Sequence, residues 1–181
     1  MKLAKQFGMG NFEILESSEK SGLTKIEVSA ESKVKSEYVP YTNKSLNWHT
    51  DGYYNEANDP ILSWLLFCQS NSSSGGDNKF MDHEIAYILF NDHSEDIRDL
   101  TDDKAFTIPE NIHSGRKAVS SYVFKLLDKK LHMRFSMRQK NIIWRDDIKE
   151  SVELLKSIIR ENERYQIKYK LEPNQGVISN N

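Results

Sequence analysis

One cysteine, Cys68, is all the chain has, so no disulfide can form within it and a reducing setting is expected. It ends the apolar run Trp64-Leu65-Leu66-Phe67-Cys68, where a buried structural thiol is a better reading than a reactive one. Long hydrophobic runs are missing as well: none approaches the roughly 18–20 residues that a membrane span needs. The N-terminus, Met1-Lys2-Leu3-Ala4-Lys5-Gln6, turns polar at once and does not resemble a secretory signal. A soluble, cytoplasmic protein is the expectation. Nor does charge of one sign accumulate. Lys and Arg number 25 against 27 Asp and Glu, a net charge of −2, which gives no basic footprint for a nucleic acid. The lysines of 125–130 are interrupted by Asp128 and read as a solvated turn. Walker-type phosphate loops, a G-x-S-x-G elbow and a zinc-binding cysteine quartet are all absent.

What is present is a succession of short strand signals in a chain of 181 residues, long enough for one domain with a substantial core. Apolar and polar residues alternate over Thr24–Ser29, which predicts a half-buried strand. Tyr38–Thr42, with Pro40 inside, reads as an extended edge segment. Ile61–Cys68 is continuously apolar, as in a strand covered on both faces, and Asn71–Asp77 is a Ser/Gly turn. Asp82 is placed to cap a helix carrying Ile85, Ala86, Ile88 and Leu89, and Ser94 to cap a second one ending near Leu100. Phe106–Ile108, Tyr122–Leu127 and Leu131–Met137 are further strands, the last two joined through a turn at Asp128-Lys129-Lys130. The longest helix runs from Ile148 to about Tyr165, with a core stripe of Ile148, Val152, Leu155, Ile158 and Ile159. Gln166–Leu171 and Gly176–Ser179 are strands on either side of a turn. Many short strands with a few covering helices suggest a jelly-roll core.

The chemistry concentrates in Asn47-Trp48-His49-Thr50-Asp51-Gly52-Tyr53-Tyr54. Side chains two apart on an extended segment point to one face, so His49 and Asp51 present an imidazole and a carboxylate together. These are two corners of the 2-His-1-carboxylate triad of non-haem Fe(II) sites. H-x-D alone is a weak signal, but its surroundings strengthen it.

Taken in order, LNWHTDGYYN, DPILSWLLFC, SGGDNKFMDHEIAYIL and LEPNQGVISNN resemble the taurine dioxygenase (TauD/TfdA-like) family, from about Tyr38 to Asn181. The resemblance implies a double-stranded β-helix (jelly-roll, cupin-like) core, mainly β with flanking helices. It implies Fe(II) as metal and 2-oxoglutarate as co-substrate, consumed while an unactivated C–H bond of a small molecule is oxidised. His49 and Asp51 would be metal ligands. Asn78 stands where many members carry a 2-oxoglutarate-binding Thr, and its amide can donate to a carboxylate. In the family, a segment like Gly176–Asn181 leads to a distal His ligand and then to an Arg that grips 2-oxoglutarate. Neither follows here. The expectation is therefore a chain cut short before both, with Met1 read as a candidate internal start, and a barrel without its last strand.

Other residues carry weaker suggestions. Tyr53 could line a substrate pocket. On the strand Leu131–Arg138 the residues His132, Arg134, Ser136 and Arg138 share a polar face. That face meets solvent on an outer strand, whereas on an inner wall Arg134 would suit an anionic substrate. His113 and His132 are poor third ligands because neither has the right lead-in, and His83 and His93 flank a helix. The alternative to an oxygenase is a shortened, non-enzymatic protein that uses the same fold for small-ligand binding or assembly. The sequence leaves open a homo-oligomer and the identity of the substrate.

Overall fold

The computed structural model describes residues 6, 23–28, 39–94, 96–112, 115–138 and 141–181. The chain divides into two compact units, residues 1–47 and 48–181. In the first, residues 23–28 carry no regular structure, contrary to the strand expected over Thr24–Ser29; Ser29 lies outside the described residues. Ile26 and Val28 are more than half exposed, and an alternating pattern without a buried face does not hold a strand. Val39–Tyr41 form a turn of 3-10 helix in place of the extended segment. Thr42 closes that turn, donating from both its N–H and its hydroxyl to the Val39 carbonyl. Pro40 is tolerated because the first helical turn needs no N–H from it.

The second unit holds the site. Its elements are β1 (Ser63–Phe67), β2 (Asp77–Met81), α1 (His83–His93), α2 (Ile97–Thr101), β3 (Phe106–Ile108), β4 (Val119–Ser121), β5 (Phe124–Leu127), β6 (Lys130–Met133), β7 (Ile143–Trp144), α3 (Lys149–Glu161), β8 (Gln166–Lys170) and β9 (Gly176–Asn180). All ladders are antiparallel: β1 with β9, β2 with β8, β4–β3–β7, and the β5–β6 hairpin. Among the described residues these small sheets do not close into a barrel. No described helix is long and apolar enough to cross a membrane.

The core forms where apolar stripes meet. The α3 stripe is buried at Val152, Leu155, Ile158 and Ile159, with Ile148 just before it, and packs with Ala86, Leu89 and Phe90 of α1. Each such side chain contributes roughly 1.5–3 kcal/mol on burial. The helix ends at Glu161, short of the expected Tyr165, because Asn162 caps the Ile158 carbonyl with both its N–H and its side-chain amide. Asp82 caps α1 by accepting from the Glu84 N–H at 2.8 Å. Ser94 does not begin α2. It closes α1, its N–H bonded to Phe90 O; its hydroxyl accepts from the Asp96 N–H, and α2 starts at the next residue, Ile97.

The Ile61–Cys68 run is a strand only from Ser63 to Phe67, and is not covered on both faces. Among the described residues it has a single strand neighbour, β9, and Leu62 and Phe67 stay more than half exposed. The β5–β6 turn is a two-residue one, with φ of 48° at Asp128 and 67° at Lys129, the left-handed pair that matches strand twist. Three strands carried too little periodicity to be expected: β2, directly after the glycines, and the short β4 and β7. β6 pairs with β5 only as far as Met133, but the chain beyond it stays buried through Met137. That buried continuation is the wall on which the H-x-D segment rests.

Candidate metal centre

The segment from Trp48 to Thr50 runs antiparallel to residues 135–137. Thr50 N–H donates to Phe135 O at 2.9 Å, and Met137 N–H to Trp48 O at 2.9 Å. The Thr50 hydroxyl accepts from the Phe135 N–H at 3.1 Å. Extended pairing puts positions 49 and 51 on one side, and their side chains face each other: His49 Nε2 lies 3.6 Å from Asp51 Oδ1. Two ligands of a first-row divalent metal at bonds of roughly 2.1 Å stand about 3 Å apart on adjacent octahedral corners. A shift of well under an ångström would bring the pair onto one ion. Both side chains are partly exposed, at 31% and 51%, so an ion could reach them from solvent. The donor set, one imidazole and one carboxylate, fits Fe(II). Among the described residues no third His, Cys, Asp or Glu joins them.

Directly after Asp51 the chain turns through Gly52, at φ of 63°. A Cβ there would come within 2.7 Å of Ile61 Cδ1, so both the backbone angle and the space call for glycine. Asn181 holds the same point from across the unit. Its Oδ1 accepts from the Asp51 N–H at 2.6 Å, and its Nδ2 donates to Asp51 O at 2.6 Å and to Ile61 O at 2.8 Å.

A cavity of about 110 Å³ lies beside His49, lined by it with Trp48 and Thr50, by Trp64 of β1, by Lys79, Phe80 and Met81 of β2, by His83 of α1, and by Ser179, Asn180 and Asn181; Asp51 is not in its lining. The Trp64 and Phe80 rings, both in its lining, pack against each other with centroids 5.7 Å apart. A larger groove of about 580 Å³ shares Phe80 and Ser179 with the cavity and continues along Ile167, Tyr169 and Val177.

The other expected site residues fall elsewhere. Asn78 is not among the residues lining the cavity; it shares a sheet face with Phe80, and its amide donates to Gly76 O at 3.3 Å. Tyr53 is buried, its ring edge-on to Tyr54 at 5.3 Å. Arg134 is 1% exposed and does not line the cavity. Its guanidinium donates to Ser121 Oγ at 2.7 Å, to Tyr53 O at 3.1 Å and to Asn55 O. It therefore fastens the turn after the H-x-D segment, and only its Nε is without a partner. Burial lowers its pKa and raises that of Tyr122, whose ring it overlies at 5.8 Å.

The polar face of residues 132–136 is thus neither solvated nor open to a ligand. His132 is 4% exposed, with Nε2 3.3 Å from Ile61 O and Nδ1 3.3 Å from the Tyr122 hydroxyl. A neutral ring that donates from Nε2 and accepts at Nδ1 satisfies both. Burial holds its pKa below the usual histidine range, and the nearby Arg134 charge adds to that. His83 bonds the Leu131 carbonyl through Nε2, and His93 the Leu89 carbonyl through Nδ1. His113 lies outside the described residues.

Asn181 and Lys79 were not foreseen. Nothing local marks Asn181, because its partners lie 120 and 130 residues away.

Comparison with known proteins gives one result. The model of a family described as taurine catabolism dioxygenase TauD, TfdA family matches residues 1–181. No curated protein matches the chain.

Proposed function

Since the chain belongs to the TauD/TfdA dioxygenase family, we propose that it is an Fe(II)- and 2-oxoglutarate-dependent oxygenase chain in which His49 and Asp51 are metal ligands. The observation that carries this is the facing of His49 Nε2 and Asp51 Oδ1 at 3.6 Å beside a cavity, within a chain matched over its length by the family. The family fold, a double-stranded β-helix, belongs to the same proposal. Support comes from Trp64 on β1 and Phe80 on β2, whose rings pack together in the cavity lining and so join two of the small sheets. When bound, Fe(II) with 2-oxoglutarate supplies oxidation of an unactivated C–H bond. This chain's residues would hold the metal, shape the pocket and orient the substrate.

Asn78 remains the candidate for 2-oxoglutarate, one strand position from Lys79 and two from Phe80, both of which line the cavity. Recognition of an anionic group is better assigned to Lys79 than to Arg134. Lys79 lines the cavity and Arg134 does not; the Lys168 opposite Lys79 in the β2–β8 register is already paired with Glu163 at 3.1 Å.

The test is a titration with Mn(II), a redox-inert stand-in for Fe(II), followed by NMR. Paramagnetic broadening should centre on His49 and Asp51 and be lost in His49→Ala and Asp51→Ala. Broadening spread over surface carboxylates without that centre would sink the reading. Turnover also needs a third ligand, which none of the described residues supplies. The 181-residue chain is therefore expected to form no more succinate from 2-oxoglutarate than His49→Ala does. Robust turnover would bring His113 back as a ligand.

A further inference from the structure

We infer that Asn181 is a positioning residue for the metal-binding carboxylate, an inference that rests on the metal site proposed above. The carboxamide is placed so that every polar atom has a job. Oδ1 takes the Asp51 N–H, and the two hydrogens of Nδ2 go to Asp51 O and Ile61 O. Donor and acceptor thus grip the peptide groups on both sides of a single residue, Asp51, which fixes the direction of its Cα–Cβ bond. The Asn181 N–H donates to Leu62 O at 3.1 Å, continuing the β1–β9 ladder, so the clamp is mounted on a sheet and not on a loose segment. Asn181 is 6% exposed, and water competes little for these bonds. It also lines the cavity beside His49.

Only a primary amide offers an acceptor and two donors from one planar group. Aspartate at 181 keeps the acceptor but sets a carboxylate against two carbonyl oxygens, and alanine removes all three bonds. Groups that orient a metal ligand without touching the metal typically govern affinity by 10–100-fold. The neighbours of Asp51 are held by Phe135 on one side and by the Gly52–Asn55 turn on the other, while the N–H and C=O of Asp51 itself are taken by Asn181. The clamp is therefore the direct tie on the peptide groups from which the carboxylate projects.

The experiment compares wild type, Asn181→Ala and Asn181→Asp in the Mn(II) titration, with amide exchange at Asp51 as a metal-free readout. Both variants should need about 10–100-fold more Mn(II) for equal broadening at His49 and Asp51. The Asp51 amide should exchange faster, while amides of the β5–β6 hairpin keep their protection. A residue that merely stabilises the fold would lower hairpin protection and leave the Mn(II) requirement of the folded protein unchanged. If the alanine variant does not fold, the near-isosteric Asn181→Asp carries the test. Equal Mn(II) requirement in a folded variant and in wild type overturns this inference alone. Absence of localised broadening in wild type overturns the metal-site reading and this inference with it.

Discussion

Two loops of the second unit have similar turn chemistry and quite different attachment. Residues 48–55 contain Gly52 at positive φ and a Gly52–Asn55 turn closed by the Asn55 N–H. Residues 71–76 contain Gly75 and Gly76, also at positive φ, and a Ser72 hydroxyl that donates to Gly75 O. The first loop is held by buried side chains brought from far along the chain, Arg134 and Asn181. The second is exposed throughout, and its outside contacts come from surface groups: Asn71 to Glu172 and Lys170 to Ser72 O. Glycine and turn propensity are common to both. The loop whose geometry matters is the one whose carbonyls are gripped by buried donors, a property of the whole fold.

Replacement of Arg134 by Leu should break that contrast most severely. It leaves Tyr53 O and Asn55 O without their buried donor, and each such loss costs about 1–3 kcal/mol. A drop of roughly 3 kcal/mol or more in urea unfolding is expected, and a change below about 1 kcal/mol would show that the grip is dispensable. Gly52→Ala comes next. The left-handed backbone costs about 1–2 kcal/mol and the new Cβ collides with Ile61 Cδ1. Pairing it with Ile61→Ala should recover the collision but not the backbone part, so a double-mutant cycle should show coupling of roughly 1 kcal/mol.

A smaller effect is expected with pH. His132 is held neutral when folded and takes up a proton on unfolding once the pH falls below its ordinary value of about 6.5. The unfolded state then binds more protons, so stability should fall as the solution is acidified from roughly pH 7 to 5. His132→Phe should flatten that limb of a urea-midpoint profile, and an unchanged slope would mean that other groups govern it. Gly75→Ala should do least. Its Cβ would meet open space, leaving only a backbone cost of about 1 kcal/mol that an exposed loop can relax, with the Mn(II) response at His49 intact.

Much of this was legible wherever the signal was local. The α3 stripe, the Asp82 cap and the β5–β6 turn follow from spacing and turn chemistry within a dozen residues. H-x-D marks position 49 because it sets an imidazole two residues from a carboxylate, although Asp51 itself opens a turn whose peptide groups bond Asn181. Arg134 was misjudged for an equally physical reason: its polar neighbours His132 and Ser136 look the same whether they meet solvent, substrate or buried carbonyls. Periodicity reports that a face is polar, and only the tertiary arrangement says what it touches. The Ser94 cap failed because a hydroxyl can serve the end of one helix as well as the start of the next.

The Ile61 carbonyl accepts from both His132 and Asn181. That single oxygen ties the H-x-D region to segments 71 and 120 residues downstream. The first tie can form once β6 has left the ribosome, but the second must wait for β9. Closing so long a loop is entropically late in folding, although its cost grows only slowly with length. The Asp51 peptide groups thus gain their Asn181 partner only once β9 has paired with β1.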